Sequence, residues 1–355
     1  MKTTEPQGPA GPRSALAREV NRDQDDSVVR PREESRVPDP GRSCGDGPPS
    51  VLITGAAGSL GRSLVTALGT DVRVIATDVN PPPTPVHGIA QVLDVRDPGL
   101  ADLLREHDVD VVVHLAAILS PPPGMGEDVV RDIEVGGTEN VVAACVSAGV
   151  DKLVYTSSGA AYGYAAANGP LLDEEAPLRG DRPFAYSLHK REIEELLDAA
   201  RTTHPELGQL VFRVSTVLGP GVHSPITRLF ERPVVLGLRG VDTPFCFAWE
   251  DDVVQCLRRG VLGDAVGTFN LTGDGVMTLR EVAAGMERRF VGVPERLLRR
   301  GLAVLHDRGL TENTPEQVAF LRHRPVLSNA RLKEQFGYVP RTTREAFEAY
   351  RSRRV

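Results

Sequence analysis

Residues Ser50 to Leu68 read SVLITGAAGSLGRSLVTAL, and the fold turns on how that stretch is parsed. Val51, Leu52 and Ile53 form an apolar run without polar alternation, the pattern of a strand covered on both faces. Thr54 closes it, Gly55, Gly58 and Gly61 follow at intervals of three, and Leu60, Leu64 and Leu68 recur at helical spacing. The parse is strand, glycine turn, helix. In such a turn the glycines allow the tight bend, let the backbone approach a pyrophosphate and pack helix against strand, while free N–H groups at the helix start favour an anion. Spaced glycines alone also describe an ordinary strand-to-helix turn. The strand before and the helix after favour a dinucleotide site formed by Gly55, Gly58, Ser59, Leu60 and Gly61.

Outward from that turn, a second apolar run from Val72 to Ala76 ends in Thr77 and Asp78. Asp78 is placed to accept both ribose hydroxyls of an adenosine, which favours NAD because a 2′-phosphate would meet like charge. Arg62, directly after the last glycine, keeps NADP as the less favoured alternative. A third strand is expected from Ile89 to Leu93, followed by Asp94, placed to reach an adenine amino group, and Val95, placed flat against the ring. A fourth covers Asp110 to Leu115. Leu115, Ala116 and Ala117 leave small side chains at its end, over which a cofactor can lie. His114 has no partner at ligand spacing and reads as a packed strand residue. A loop from Ser120 to Gly126 leads into a helix from about Asp128 to Ala148.

The chemistry begins at a fifth strand, Lys152 to Ser157. Ser157, Ser158 and Tyr162 fall at and beyond its carboxyl end, the edge where open α/β sheets bind ligands. Phe184 to Ala200 reads as a helix bearing Tyr186 and Lys190, whose separation of four puts both side chains on one face. A free phenol has a pKa near 10, so only about one in a thousand is ionised at pH 7, a deficit of roughly 4 kcal/mol for a base. The ammonium of Lys190 beside the phenol is expected to favour the phenolate. Ser158 can donate to the same substrate oxygen, so that a proton and a hydride leave one carbinol together.

A chain of 355 residues exceeds one small core and fits one large or two interleaved domains. Apolar residues at 41% and charged ones at 25% are ordinary globular values, and a net charge of -7 gives no reason to expect nucleic acid or an anionic membrane as partner. Cys44, Cys145, Cys246 and Cys256 share no metal-ligand spacing, so no metal is expected, and buried thiols in a reducing compartment are. No apolar run reaches the length of a membrane span and the amino terminus lacks the apolar core of a signal peptide, which points to the cytoplasm. Residues 1–49 carry no sustained apolar periodicity and are expected to be a disordered tail.

TGAAGSLG at Thr54 to Gly61, Asp78, DV at Asp94, HLAA at His114 to Ala117, TSSGAAYG at Thr156 to Gly163 and YSLHK at Tyr186 to Lys190 resemble, in order and spacing, the extended short-chain dehydrogenase/reductases of the NAD-dependent epimerase/dehydratase family. Later landmarks fit as well: RVSTVLGPG at Arg213 to Gly221, EDDV around Asp252, FNLTGDG at Phe269 to Gly275 and LKEQFGYVPRT from Leu332 to Thr342. The resemblance implies an α/β fold, a doubly wound parallel Rossmann sheet with a smaller C-terminal substrate lobe. Residues 50–220 would form the NAD-binding domain, completed by about 265–275, with 221–264 and 276–345 as the interleaved lobe. It also implies Tyr186 as acid/base, Lys190 as holder of the nicotinamide ribose, Ser158 as the group polarising the reacting oxygen, and a homodimer through helices on the sheet face.

The departures bear on substrate. An Asn commonly precedes the Gly-Thr of the helix after the fourth strand, and this chain has Glu134 in EVGGTEN, so the family's water relay is not carried over. Nucleotide-sugar enzymes commonly have an Asn where Thr216 stands, and an Arg shortly before Asp252 where TPFCFAWEDD offers Phe245, Phe247 and Trp249. A sugar diphosphate needs donors that are missing at both places. Candidate substrate contacts are therefore Ser158, Tyr162, Thr216 and Trp249, the aromatic group fitting core packing between lobes equally well; Arg213 and Arg228 are candidate phosphate ligands. From Thr278 onward, Leu279 to Met286 reads as an amphipathic helix, while Leu297 to Leu305 and Glu316 to Leu321 are expected to cover the cleft. The expected function is an NAD-dependent oxidoreductase acting at a secondary alcohol or ketone carbon of a small molecule. A nucleotide-sugar epimerase or dehydratase with tightly bound NAD ranks second, and a dinucleotide sensor without catalysis is the alternative of another class.

Overall fold

Strand β1 (Ser50–Thr54) is buried along its whole length, as its unbroken apolar run requires. In the computed structural model, which describes residues 48–122, 124–308 and 314–353, β1 lies inside a seven-stranded sheet. The expected disordered tail lies, up to residue 47, outside the described residues. The other strands are β2 (Arg73–Asp78), β3 (Gly88–Val92), β4 (Val111–His114), β5 (Lys152–Ser158), β6 (Gly208–Val214) and β7 (Gly267–Leu271). Their order is β7-β6-β5-β4-β1-β2-β3, and every pair is parallel. The order reverses between β1 and β4, so a crevice opens beyond their carboxyl ends at the switch point.

Alternation along the strands separates two cores. Val51, Ile53, Val113 and Val154 face helices α1 (Ser59–Leu68) and α5 (Glu250–Leu262). Leu52, Val112, Leu153 and Tyr155 face α2 (Leu100–Glu106), α3 (127–148) and α4 (Ala185–Thr203). Helix α5, which lies within the 221–264 segment expected in the small lobe, packs on the sheet. Val253, Val254, Leu257 and Val261 form an apolar stripe at helical spacing, and it fills the sheet face beside Leu64 and Leu68 of α1. Helix α3 is interrupted: Glu127–Arg131 and Gly137–Ala148 are α-helical, and Asp132–Gly136 between them forms a π-turn.

The small lobe gathers short strand pairs around its own core of Phe230, Phe245, Phe247, Trp249, Phe347 and Tyr350. Thr216–Leu218 pairs with Phe247–Trp249, Pro244–Phe245 with Met277–Thr278, and Val234–Leu238 with Arg289–Val293. Helix Leu279–Gly285 begins at a capping box in which Thr278 and Glu281 exchange bonds. Helix Glu295–Asp307, which carries the Leu297 to Leu305 segment expected over the cleft, buries no residue fully and contributes nothing to the cavity wall described below; Leu297, Val304 and Leu305 are exposed and Leu298 and Leu302 half-buried. Among the described residues no helix is long and apolar enough to cross a membrane, and Cys145, Cys246 and Cys256 are buried free thiols.

Candidate active site

Helix α1 starts at Gly58 with no side chain capping it, so its first N–H groups face outward unmet by a cap. The flanking glycines are dictated by backbone proximity. A Cβ on Gly55, whose φ is +70°, would lie 2.6 Å from the Ala116 nitrogen, and one on Gly61 would lie 2.3 Å from the Gly55 oxygen. On Gly58 it would meet only the Gly55 oxygen, at 3.2 Å, so that side of the turn stays open. Gly55, Gly58, Ser59, Leu60 and Gly61 form one end of a cavity of about 520 Å³, and Leu115 and Ala117 line it from the end of β4. Here the donor set is peptide N–H, which fits a pyrophosphate. Ser59 and Ser63 donate from 2.7 and 3.1 Å to the buried Glu250 carboxylate, which also accepts from the Gly221 nitrogen at 3.3 Å.

Four residues expected at the cofactor lie off this wall. Asp78 braces the glycine turn, accepting from the Ala57 nitrogen at 3.0 Å and the Asn80 nitrogen at 2.9 Å; Arg62 closes the same turn from outside by donating to the Ala57 oxygen at 2.8 Å. Asp94 is held by the Arg96 guanidinium at 2.7 Å, which keeps its carboxyl below the ordinary aspartate range. Val95 is buried under Gly137 rather than laid open as a ring platform. Ala116 packs against Gly55 and donates its N–H to the Thr54 hydroxyl at 3.3 Å.

Midway along the cavity, Ser158 ends β5 and meets Tyr186 and Lys190 from the first two turns of α4. The Lys190 ammonium is 2% exposed; it lies 5.5 Å from the centre of the Tyr186 ring, donates to the Tyr155 hydroxyl at 2.8 Å and is ion-paired at 3.2 Å with Glu134. Its burial opposes the charge, yet Glu134 and the two phenols hold it well above the ordinary lysine value. Tyr186 departs from expectation. Burial raises its pKa above the ordinary phenol value, Lys190 lowers it, Glu134 raises it and Ser158 lowers it through a hydrogen bond, and the net direction is up. The expected depression by Lys190 is outweighed because the phenol is desolvated and the ammonium already has a carboxylate. Beneath them His114 is pinned between the Thr54 hydroxyl at 2.7 Å and the Thr138 hydroxyl at 3.0 Å; burial, then Lys190, push its pKa down to about 3, so it stays neutral.

The far end of the cavity corrects several substrate candidates. Tyr162 is fully buried and hydrogen-bonds Arg213, Asn270 and the Asp173 carbonyl at 2.8 to 2.9 Å, because the 3₁₀ turn Gly159–Tyr162 carries it back under the sheet edge. Arg213, a candidate phosphate ligand, is paired with Glu194 at 2.7 Å and does not line the cavity. Trp249 lies in the lobe core with its indole N–H on Asp251 at 2.9 Å. Thr216 does line the cavity, and its hydroxyl accepts from Arg324. Arg324 is the residue the sequence did not reveal. Its guanidinium lies 4.2 Å from the Phe245 ring centre and 4.6 Å from that of Phe320, and its Nη1 is buried without a hydrogen-bond partner. Among the described residues no carboxylate pairs with it, and burial lowers its pKa. Tyr164, packed at a tilt against Phe184 and Phe320, completes this wall. Arg228 lies on the rim, donating to the Ser120 hydroxyl at 2.8 Å.

The sequence pattern described as the NAD dependent epimerase/dehydratase family matches residues 51–234. Uncharacterized protein Rv0501 of Mycobacterium tuberculosis is 30% identical over 315 residues, covering 85% of this chain and 83% of its own. The UDP-glucose 4-epimerase of Azospirillum brasilense is 28% identical over 330 residues, covering 83% and 88%. Among solved structures, MoeE5 in complex with UDP-glucuronic acid and NAD superposes with a TM-score of 0.66 at 25% identity, over 86% of this chain and 99% of that one.

Proposed function

We propose, since the chain belongs to the NAD dependent epimerase/dehydratase family and is an NAD-dependent enzyme of that type, that it acts on a secondary alcohol carbon of a phosphate-bearing sugar substrate. The glycine turn and the uncapped start of α1 would hold the pyrophosphate, and Lys190, whose ammonium spends one N–H on Tyr155, the nicotinamide ribose. When bound, NAD supplies the site at which the carbinol hydride is stored or given back. Ser158 would hold the reacting oxygen and Tyr186 would take or return its proton.

The observation that carries the substrate class is Arg324. A guanidinium that lines the cavity with its Nη1 enclosed and without a hydrogen-bond partner, and with no carboxylate beside it among the described residues, is costly unless an anion completes it. It supplies the donor whose absence had ranked nucleotide sugars second, and Phe245, standing in the stretch where such enzymes commonly carry Arg, serves as its platform. The UDP-sugar ligands of the similar proteins support the same class.

The test combines mass spectrometry of dinucleotide released from purified protein with turnover of UDP-glucose and UDP-glucuronic acid. NAD retained through each cycle is the expected result, and Tyr186→Phe should keep NAD while kcat falls by about 10²–10⁴. Net consumption of added NADH would favour the reductase, and discrimination of NAD from NADH with no turnover the sensor. A homodimer and a cytoplasmic location belong to the same reading and are checked by sedimentation and cell fractionation.

A further inference from the structure

Position 134 is one of the places where this chain departs from the family's common pattern, and the structure gives the departure a shape. Glu134 is the third residue of the π-turn Asp132–Gly136, a local widening of α3 of a kind that occurs often at functional sites. It is 3% exposed. One carboxylate oxygen accepts the Ile118 N–H beyond the end of β4, and the other lies 3.2 Å from the Lys190 ammonium, an ion pair without a hydrogen bond. Lys190 cannot turn away, because Tyr155 from β5 holds it at 2.8 Å from the other side. The groups facing this centre are few. Lys190, His189 and Tyr186 come from α4, Tyr155 from β5 and His114 from β4; burial keeps both histidines neutral near pH 7. Tyr164 faces Tyr186 from the cavity side, with Arg324 behind it. The charges that bear on Tyr186 are thus one ammonium and the carboxylate that neutralises it.

We propose that Glu134 is a positioning residue for the Tyr186 chemistry: its carboxylate claims the Lys190 ammonium as a buried ion pair, so that at neutral pH Tyr186 rests as a proton donor and turns acceptor only at a higher pH than it would beside an amide at position 134. This rests on the enzymatic reading of Tyr186 and Lys190 given above. A water bridging an amide to Lys190 would leave the full positive charge to act on the phenol; a carboxylate in direct contact cancels most of it at the distance of Tyr186.

The experiment is an NMR titration of protein carrying ring-labelled tyrosine, without substrate or added cofactor, with the Tyr186 resonance assigned from its loss in Tyr186→Phe. In Glu134→Gln the midpoint of Tyr186 should fall by about one pH unit or more relative to wild type, and Glu134→Asp should hold it near the wild-type position. Should Glu134→Gln not fold, Glu134→Asn, which leaves room for a water beside Lys190, is read in the same way. An unchanged or raised midpoint in a folded amide variant overturns the proposal. Mass spectrometry of released dinucleotide and calorimetry with added NAD run in parallel: wild-type protein that neither carries nor binds NAD would count against the enzymatic reading, whereas NAD carried or bound with an unmoved Tyr186 titration would count against the role of Glu134 alone.

Discussion

Two arginines of this molecule, Arg213 buried and Arg324 half-buried with its Nη1 enclosed, live under opposite rules. Arg213, on β6, has Glu194 at 2.7 Å, the Tyr162 hydroxyl at 2.9 Å and the Glu174 carbonyl at 2.8 Å, so each part of its fork is met. Arg324 lies between aromatic rings with the Thr216 hydroxyl and no carboxylate. The first plugs the sheet edge; the second is a charge held ready at a cavity wall. The difference teaches that the partner inventory of a buried cation, rather than its burial, separates scaffold from site.

The comparison breaks most directly at Arg213. Arg213→Met leaves Glu194 buried and unpaired, and unfolding in urea should show a loss of about 3–5 kcal/mol, with the KM for UDP-sugar unchanged in whatever folds. A loss below about 1 kcal/mol would erase the contrast. Arg324→Met should do the reverse: affinity for a UDP-sugar weaker by about 10–100-fold, some 1.4–3 kcal/mol, at unchanged NAD affinity and unchanged or greater stability. Equal binding by wild type and variant would remove Arg324 from the site. Tyr162→Phe, read by urea unfolding and steady-state kinetics, sharpens the line between the regions by costing about 1 kcal/mol of stability with kcat and KM intact.

A third arginine provides the surface control. Arg96 bridges Asp94 and Asp132 with all three side chains more than a third exposed, so Arg96→Gln should cost at most about 1 kcal/mol, less at high salt. Because Arg96 depresses the Asp94 pKa, that contribution is present above the ordinary aspartate value and is lost as the pH falls through the depressed one. Urea midpoints measured down to acid pH check it; a contribution that grows on acidification would contradict the pairing.

Much of this was legible in order along the chain. β1, the glycine turn and α1 are local, so spacing alone specified them, and the relation of Tyr186 to Lys190 follows from one helical turn. What could not be read depends on distant segments meeting. Arg324 and Thr216 are separated by 108 residues, and nothing in RHRPVL marks one arginine as the one laid on Phe245. Tyr162 and Tyr164 are indistinguishable in SSGAAYGY until the 3₁₀ turn sends the first into the interior and leaves the second on the cavity. Glu134 was visible as a departure, but its contact with Lys190 depends on the register slip of a π-turn, which no periodicity announces.

The carboxylate of Glu250 fastens the start of α1, through two serine hydroxyls, to the backbone at Gly221, where a further stretch of the cavity lining begins. Those two walls are therefore riveted together. A load placed on the helix start by a dinucleotide is shared with the neighbouring loop, and loosening the rivet frees both.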